Sequence, residues 1–172
     1  PEAGASSANQ KSSIFNQMGC EYSATFAAPP ELSDTKAHLF DLPTNGKLAM
    51  LLVPGGKGFF RAECYPASPE LVAQVTKEHA YKGMRMLAEG AGVKGFQLSY
   101  TESSTGKLCE MRGTKTLADP KGNKVKVMMN WRTYYGEKSV FAVMIVGAAE
   151  NFPTPEQLSF RNSVKQPGAE TP

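Results

Sequence analysis

The sequence predicts an α+β domain: a mainly antiparallel sheet with one long helix and one C-terminal helix packed on it. Three observations predict it. Segments of apolar period two alternate with turn signals through most of residues 20–149. Two helix-start signals, "SPEL" at residues 68–71 and "TPEQ" at 154–157, stand well apart in the chain. The links between neighbouring strands are tight turns, which join antiparallel partners.

Taken in order, "YSATFA" alternates Tyr22, Ala24 and Phe26 with small polar residues, the pattern of a half-buried strand that Pro29 and Pro30 stop. "KAHLFDL" and "KLAMLLV" flank "PTNG", where Asn45 and Gly46 suit the positive φ of a tight hairpin. In "FFRAECY" Phe60, Ala62 and Cys64 face one way, and Arg61 and Glu63 the other. The preceding "PGGKG", residues 54–58, has glycines and a lysine but lacks the GxxxxGK[ST] pattern and a following helix, so it reads as a hairpin turn rather than a phosphate loop.

The long helix opens with Ser68 as N-cap, Pro69 first and Glu70 at the positive end of the dipole, and is expected to reach about Glu89. At 100° per residue, Leu71, Val72, Val75, His79, Ala80, Gly83, Met86 and Leu87 share its buried side. Gly83 would then be a gap through which the helix approaches Trp131 or another large side chain. "FQLSYT", "KLCEMRGTKT" and "KVKVMMNWRTYY" follow as strands, turning at "SSTG" and "DPKGN". "SVFAVMIVG" is the most apolar strand and the best candidate for the sheet centre. At the end, Thr154 caps a helix with Pro155 first, Gln157 at the capping-box position, and a stripe of Phe160 and Val164.

Residues 1–18 are small and polar and read as a tether, 19–166 as a single domain and 167–172 as a tail. The chain opens on Pro rather than Met, which fits removal of an upstream export signal and fits a trimmed end equally. The longest apolar run, Val140 to Ala149, is about half of what a helix needs to cross a bilayer. Three cysteines, Cys20, Cys64 and Cys109, form no CxxC. One disulfide plus a free thiol would suit a periplasmic or secreted protein and three thiols a cytoplasmic one, and sequence does not choose the pair.

"YSATFAAPPEL" and "FPTPEQLSFRNSVK" resemble the opening strand with its prolines and the closing helix of the PsbP-like group. That group comprises extrinsic photosystem II subunits, a Ran-binding nuclear import factor and bacterial periplasmic proteins. The resemblance spans most of residues 20–166 and implies an α/β/α sandwich. It also implies a binding or assembly role rather than catalysis, with no catalytic constellation to transfer.

Two histidines and scattered cysteines give no metal-ligand spacing, and no cofactor motif is present, so neither a metal nor a cofactor is expected. A net charge of +3 is too small to imply nucleic acid by itself, and Trp131 faces the core side of its strand, so no nucleic-acid partner is expected. Residues 107–138 are nevertheless rich in cations. Lys124, Lys126 and Arg132 share one strand face and form a stripe suited to an acidic protein partner or to anionic lipid head groups. The competing reading is a solvated face whose lysines prevent edge pairing. The first functional expectation is therefore a non-enzymatic exported module that binds another protein at the cell envelope. The second is a small-molecule or lipid binder, or a hydrolase, with a cavity between the long helix and the sheet near His79.

Overall fold

The computed structural model describes residues 11–53 and 58–166. Seven strands form the main sheet: β3 (Glu31–Leu39), β4 (Leu42–Leu52), β5 (Gly58–Pro66), β6 (Lys94–Ser103), β7 (Gly106–Ala118), β8 (Lys124–Tyr135) and β9 (Ser139–Ala148). Their spatial order is β3-β4-β5-β9-β8-β7-β6, and every neighbouring pair is antiparallel. The most apolar strand, β9, therefore occupies the centre, where both faces need cover. Nine of its ten residues are buried.

On the first face, Ala49, Ala62, Cys64, Phe141, Val143 and Ile145 meet a small two-stranded sheet, β1 (Ser13–Phe15) with β2 (Ala24–Phe26), and the C-terminal helix α3 (Pro155–Asn162). The Phe160 ring lies 4.8 Å from Phe26 and 5.3 Å from Phe60, so one side chain of α3 ties the small sheet to the large one. On the second face, Cys109, Met111, Val127, Met129, Met144 and Val146 lie under α2 (Lys77–Gly90) and the segments on either side of it, with Val75, Ala80, Met84, Ala88 and Val93 opposing them. The α3 capping box is complete: Thr154 Oγ1 accepts from Gln157 N, and Gln157 Oε1 accepts from Thr154 N.

Several elements differ from the sequence expectation. The segment read as a tether enters the fold at residues 13–15, where Phe15 is buried against Phe141. "YSATFA" has the expected alternation, yet it crosses the first face in the small sheet instead of joining the large one. The β3–β4 turn is Phe40–Asp41, both at positive φ, rather than Asn45–Gly46. Gly46 sits inside β4 because the Tyr65 ring lies on it, leaving no room for a Cβ. Arg61 and Glu63 do share the face opposite Ala62 and Cys64, but Glu63 is buried, paired with Arg61 and accepting from Tyr65 Oη at 2.9 Å. Residues 54–57 of the "PGGKG" turn lie outside the described residues; β4 and β5 pair antiparallel as far as Leu52 and Phe59.

The long helix is broken. A first turn, α1 (Pro69–Ala73), is capped by Ser68 as expected, but Thr76 caps a second helix by accepting from His79 N. Lys107 Nζ donates to the carbonyls of Val72, Ala73 and Val75 freed at the break. Three non-helical residues reset the phase, so the buried stripe of α2 is Ala80, Met84 and Ala88. His79, Met86 and Leu87 are exposed, and Gly83 has nothing near the place of its missing Cβ.

Two neighbouring residues of the N-terminal segment, Cys20 and Glu21, tie it to the sheet. Cys20 and Cys64 form a disulfide, with Cα atoms 6.2 Å apart. Glu21 receives the backbone N–H groups of Glu137 at 2.7 Å and Lys138 at 3.0 Å, and the Ser139 hydroxyl at 2.7 Å. Burial pushes the Glu21 carboxyl up, but these donors together outweigh it and hold it below the ordinary carboxylate range. Because the folded value is depressed, the contribution to stability is full above the unfolded value and disappears as pH falls through the folded one. Glu21→Gln should therefore cost about 1–3 kcal/mol at neutral pH. The gap in thermal midpoint between variant and wild type should close on acidification below about pH 4, which a set of melts across pH will check.

Candidate functional site

The first face of the sheet is covered only in part. Its β4–β5–β9 half is apolar and lies under β1, β2 and α3, whereas its β6–β7–β8 half is polar. Strand register places Ser99, Glu110 and Arg132 in one row across these three strands, and Gln97, Arg112 and Asn130 in the next. Helix α3 borders this half, and its last turn supplies Arg161.

Four charged side chains converge there. Glu110 accepts from Arg112 Nε at 3.1 Å and is paired with Arg132 through Nε. Arg161 Nη1 donates to Asn130 Oδ1 at 3.2 Å, and the fully buried Asn130 donates through Nδ2 to Met111 O at 3.2 Å. Asn130 is thus a fixed post that aims Arg161 at the other two arginines. Three guanidiniums around one carboxylate leave two charges uncompensated.

The titration directions express that imbalance. Burial pushes Glu110 up, but Arg132 foremost, with Asn130 and Arg112, outweighs it and holds the carboxyl below its usual range. Burial and then the charge of Arg132 lower Arg161, with Glu110 opposing them. An arginine remains protonated at neutral pH, so this lowering marks a charge held partly out of water, and secondarily beside a like charge, rather than a proton lost. Arg161 Nε is buried without a partner, while Arg112 is about half exposed. The chemistry on offer is recognition of a carboxylate or another planar anion by a forked donor array.

The residues singled out in the sequence are distributed as follows. Arg132 is a member of the cluster. Lys124 and Lys126 share its face but lie toward the far end of β8, with Lys126 about 20 Å along the strand from Arg132 at 3.3 Å per residue. The expected stripe is therefore divided into an arginine cluster and a lysine-bearing hairpin. His79 is exposed at the start of α2, its Nδ1 3.1 Å from Thr76 Oγ1 and 3.3 Å from Gln74 O, where it helps close the helix break. It does not lie between helix and sheet, where Ala80, Met84 and Ala88 fill the seam. Two clefts, of about 690 and 290 Å³, lie beside the N-terminal segment and the β3–β4 arm; neither is lined by His79, Lys124, Lys126 or Arg132.

Cys109 is the free thiol. Burial, and then the Glu110 charge, push it up to about 11, so it stays protonated and inert at neutral pH. Among the described residues, no group of three or more His, Cys, Asp or Glu side chains converges as metal ligands, and no helix is long and apolar enough to cross a membrane. Arg161 escaped the sequence reading. A basic residue in the last turn of a helix is an ordinary dipole partner, and only its hydrogen bond to Asn130 of β8 shows that it stands beside the arginine cluster.

The architecture and this half-open face can be set beside known proteins. The solution structure of cyanobacterial PsbP (CyanoP) from Synechocystis sp. PCC 6803 matches 96% of this chain and 98% of its own, with a TM-score of 0.56 and 9% sequence identity. The fold is PsbP-like. At that identity the likeness concerns the fold alone. No protein-family model matches the sequence, and no curated protein is significantly similar to it. The side chains on the open half of the sheet are this chain's own, because a shared fold does not carry a shared site.

If the arginines repel one another and Glu110 restrains them, Glu110→Gln should destabilise the fold by about 1–3 kcal/mol. Added sulfate should then raise the thermal midpoint of the variant more than that of wild type. Equal responses in the two proteins would remove the case for uncompensated charge.

Proposed function

We propose that this chain is a non-enzymatic, exported binding module that recognises an acidic patch on another protein at the cell envelope. Recognition uses the open polar half of the sheet. The observation that carries this reading is the pairing of Arg112 and Arg132 with the single carboxylate of Glu110 beside solvent, with Arg161 held next to them by Asn130. Arginine loses less solvation than lysine on leaving water and pairs bidentately with carboxylates, which is why it recurs at the energetic centres of protein interfaces. Lys124 and Lys126, farther along the same face, add long-range attraction that steers an acidic partner toward it.

Export is supported by the Cys20–Cys64 disulfide, a bond that persists in oxidising compartments and is rare in the cytosol of mesophiles. The PsbP-like fold is consistent with a protein-interaction role. The small-molecule reading required His79 to line a cavity between helix and sheet, and that residue is on the surface.

The test is affinity capture from a cell-envelope extract of the native organism, followed by mass spectrometry, with wild type and Arg112→Ala/Arg161→Gln run side by side. Both substitutions keep Glu110 and Arg132 paired, and melts will confirm that the variant folds. The reading predicts a partner with an acidic surface, released by salt, whose recovery falls about tenfold or more with the variant. Unchanged recovery would remove the proposed surface.

A further inference from the structure

The longest hairpin of the sheet extends past its neighbours. Strand β6 pairs with β7 only as far as Thr114, and β9 pairs with β8 only from Val127. Among the described residues, the outer part of the hairpin, residues 115–126, is therefore held by its own ladder from Lys115↔Val127 to Ala118↔Lys124 and by its turn. The turn is tight: Asp119 Oδ1 accepts from Lys121 N and Asn123 N, both at 2.8 Å, and Oδ2 accepts from Asn123 Nδ2 at 2.9 Å. Its carboxylate is spent within the turn.

The composition of this projection is unlike the rest of the chain. It carries Lys115, Lys121, Lys124 and Lys126 against Asp119, a net +3, which equals the formal charge of all 172 residues. The remainder of the protein is balanced. Alternation sorts the projecting strands into two sides: Lys124 and Lys126 on the first, and Lys115 with the cross-strand pair Leu117 and Val125, 42% and 39% exposed, on the second.

We propose that this hairpin docks the protein on an anionic lipid surface, inserting Leu117 and Val125 at the head-group boundary while the lysines lie among the phosphates. Charge complementarity selects the occupant. Lysine is a strongly hydrated point charge on a flexible stem, suited to a diffuse layer of anionic head groups and able to snorkel around a shallow apolar wedge. A specific protein partner would instead be met by a fixed, pre-oriented array such as the arginine cluster, and the hairpin offers no concave seat for one. The inference stands apart from the protein-binding reading: there Lys124 and Lys126 act only through long-range attraction and the three arginines make the contact, whereas here the hairpin itself is the contact.

The experiment is co-sedimentation of the full chain with vesicles of phosphatidylcholine alone and of phosphatidylcholine mixed with phosphatidylglycerol. Four proteins are compared: wild type, Lys124→Glu/Lys126→Glu, Leu117→Thr/Val125→Thr, and Arg112→Ala. Threonine keeps the strand propensity of the hairpin, and a milder Lys121→Gln/Lys124→Gln variant replaces the charge reversal if that one fails to fold. Wild type and Arg112→Ala should bind the anionic vesicles and not the neutral ones, and salt should weaken them. Charge reversal should reduce partitioning about tenfold or more. The threonine pair should weaken binding severalfold while keeping the same dependence on salt. The proposal is overturned if wild type does not bind, if it binds both vesicle types alike, or if the threonine pair binds as wild type does, which would mean adsorption by charge without insertion. It is equally overturned if the hairpin variants lose an acidic protein from the extract while vesicle binding is untouched.

Discussion

Strand β9 is buried along both faces, and the rest of the architecture follows from that requirement. A central strand of Val, Phe, Met and Ile cannot leave either side to water, since each such side chain contributes on the order of 1.5–3 kcal/mol by burial. One face is met by α2, whose stripe is Ala80, Met84 and Ala88, so small residues let the helix sit close to the methionines of β7, β8 and β9. The other is met by α3 and the β1–β2 pair, joined through Phe160 and Phe26. The disulfide and the Glu21 contacts keep that second cover in place, because a two-stranded sheet of three-residue strands has little stability of its own.

Cover is concentrated where the apolar residues are, and this creates the functional surface. The first face loses its lid over β6, β7 and β8, where Gln97, Ser99, Arg112, Lys124 and Lys126 are exposed. Asn130 marks the boundary: buried under α3 on one side, it presents an oxygen to Arg161 on the other. A structural post thereby orients a residue of the open surface. The same long strands run on past the sheet and end in the lysine-bearing hairpin, so charge is distributed in two distinct patches and the chain-wide net value conceals both.

Much of this was legible in the sequence because it depends on local chemistry. The limits of β8, the "DPKGN" turn with Gly122 at positive φ, the central place of β9 and the Thr154–Gln157 capping box are all set by residues within a few positions of one another. What failed depends on distant partners. Asn45–Gly46 is a sound turn signal, but Gly46 serves the Tyr65 ring, and the turn falls on Phe40–Asp41, which carries no glycine. The periodicity of residues 69–89 continues through a break stabilised by Lys107 from another strand, so the phase was misplaced and His79 was assigned to the core. Parity on β8 put Lys124, Lys126 and Arg132 on one face, yet only strand pairing shows that Arg132 belongs with Glu110 and Arg112 and the lysines with a projecting hairpin.

The account rests on β9 being sealed from both sides as one cooperative unit, and amide hydrogen exchange tests that most directly. It predicts that the amides of Val140 to Val146 exchange only through global opening, with protection equal to the full unfolding free energy, while the outer part of the β7–β8 hairpin exchanges by local fraying. Exchange of the β9 amides as fast as those of the edge strand β3 would contradict it.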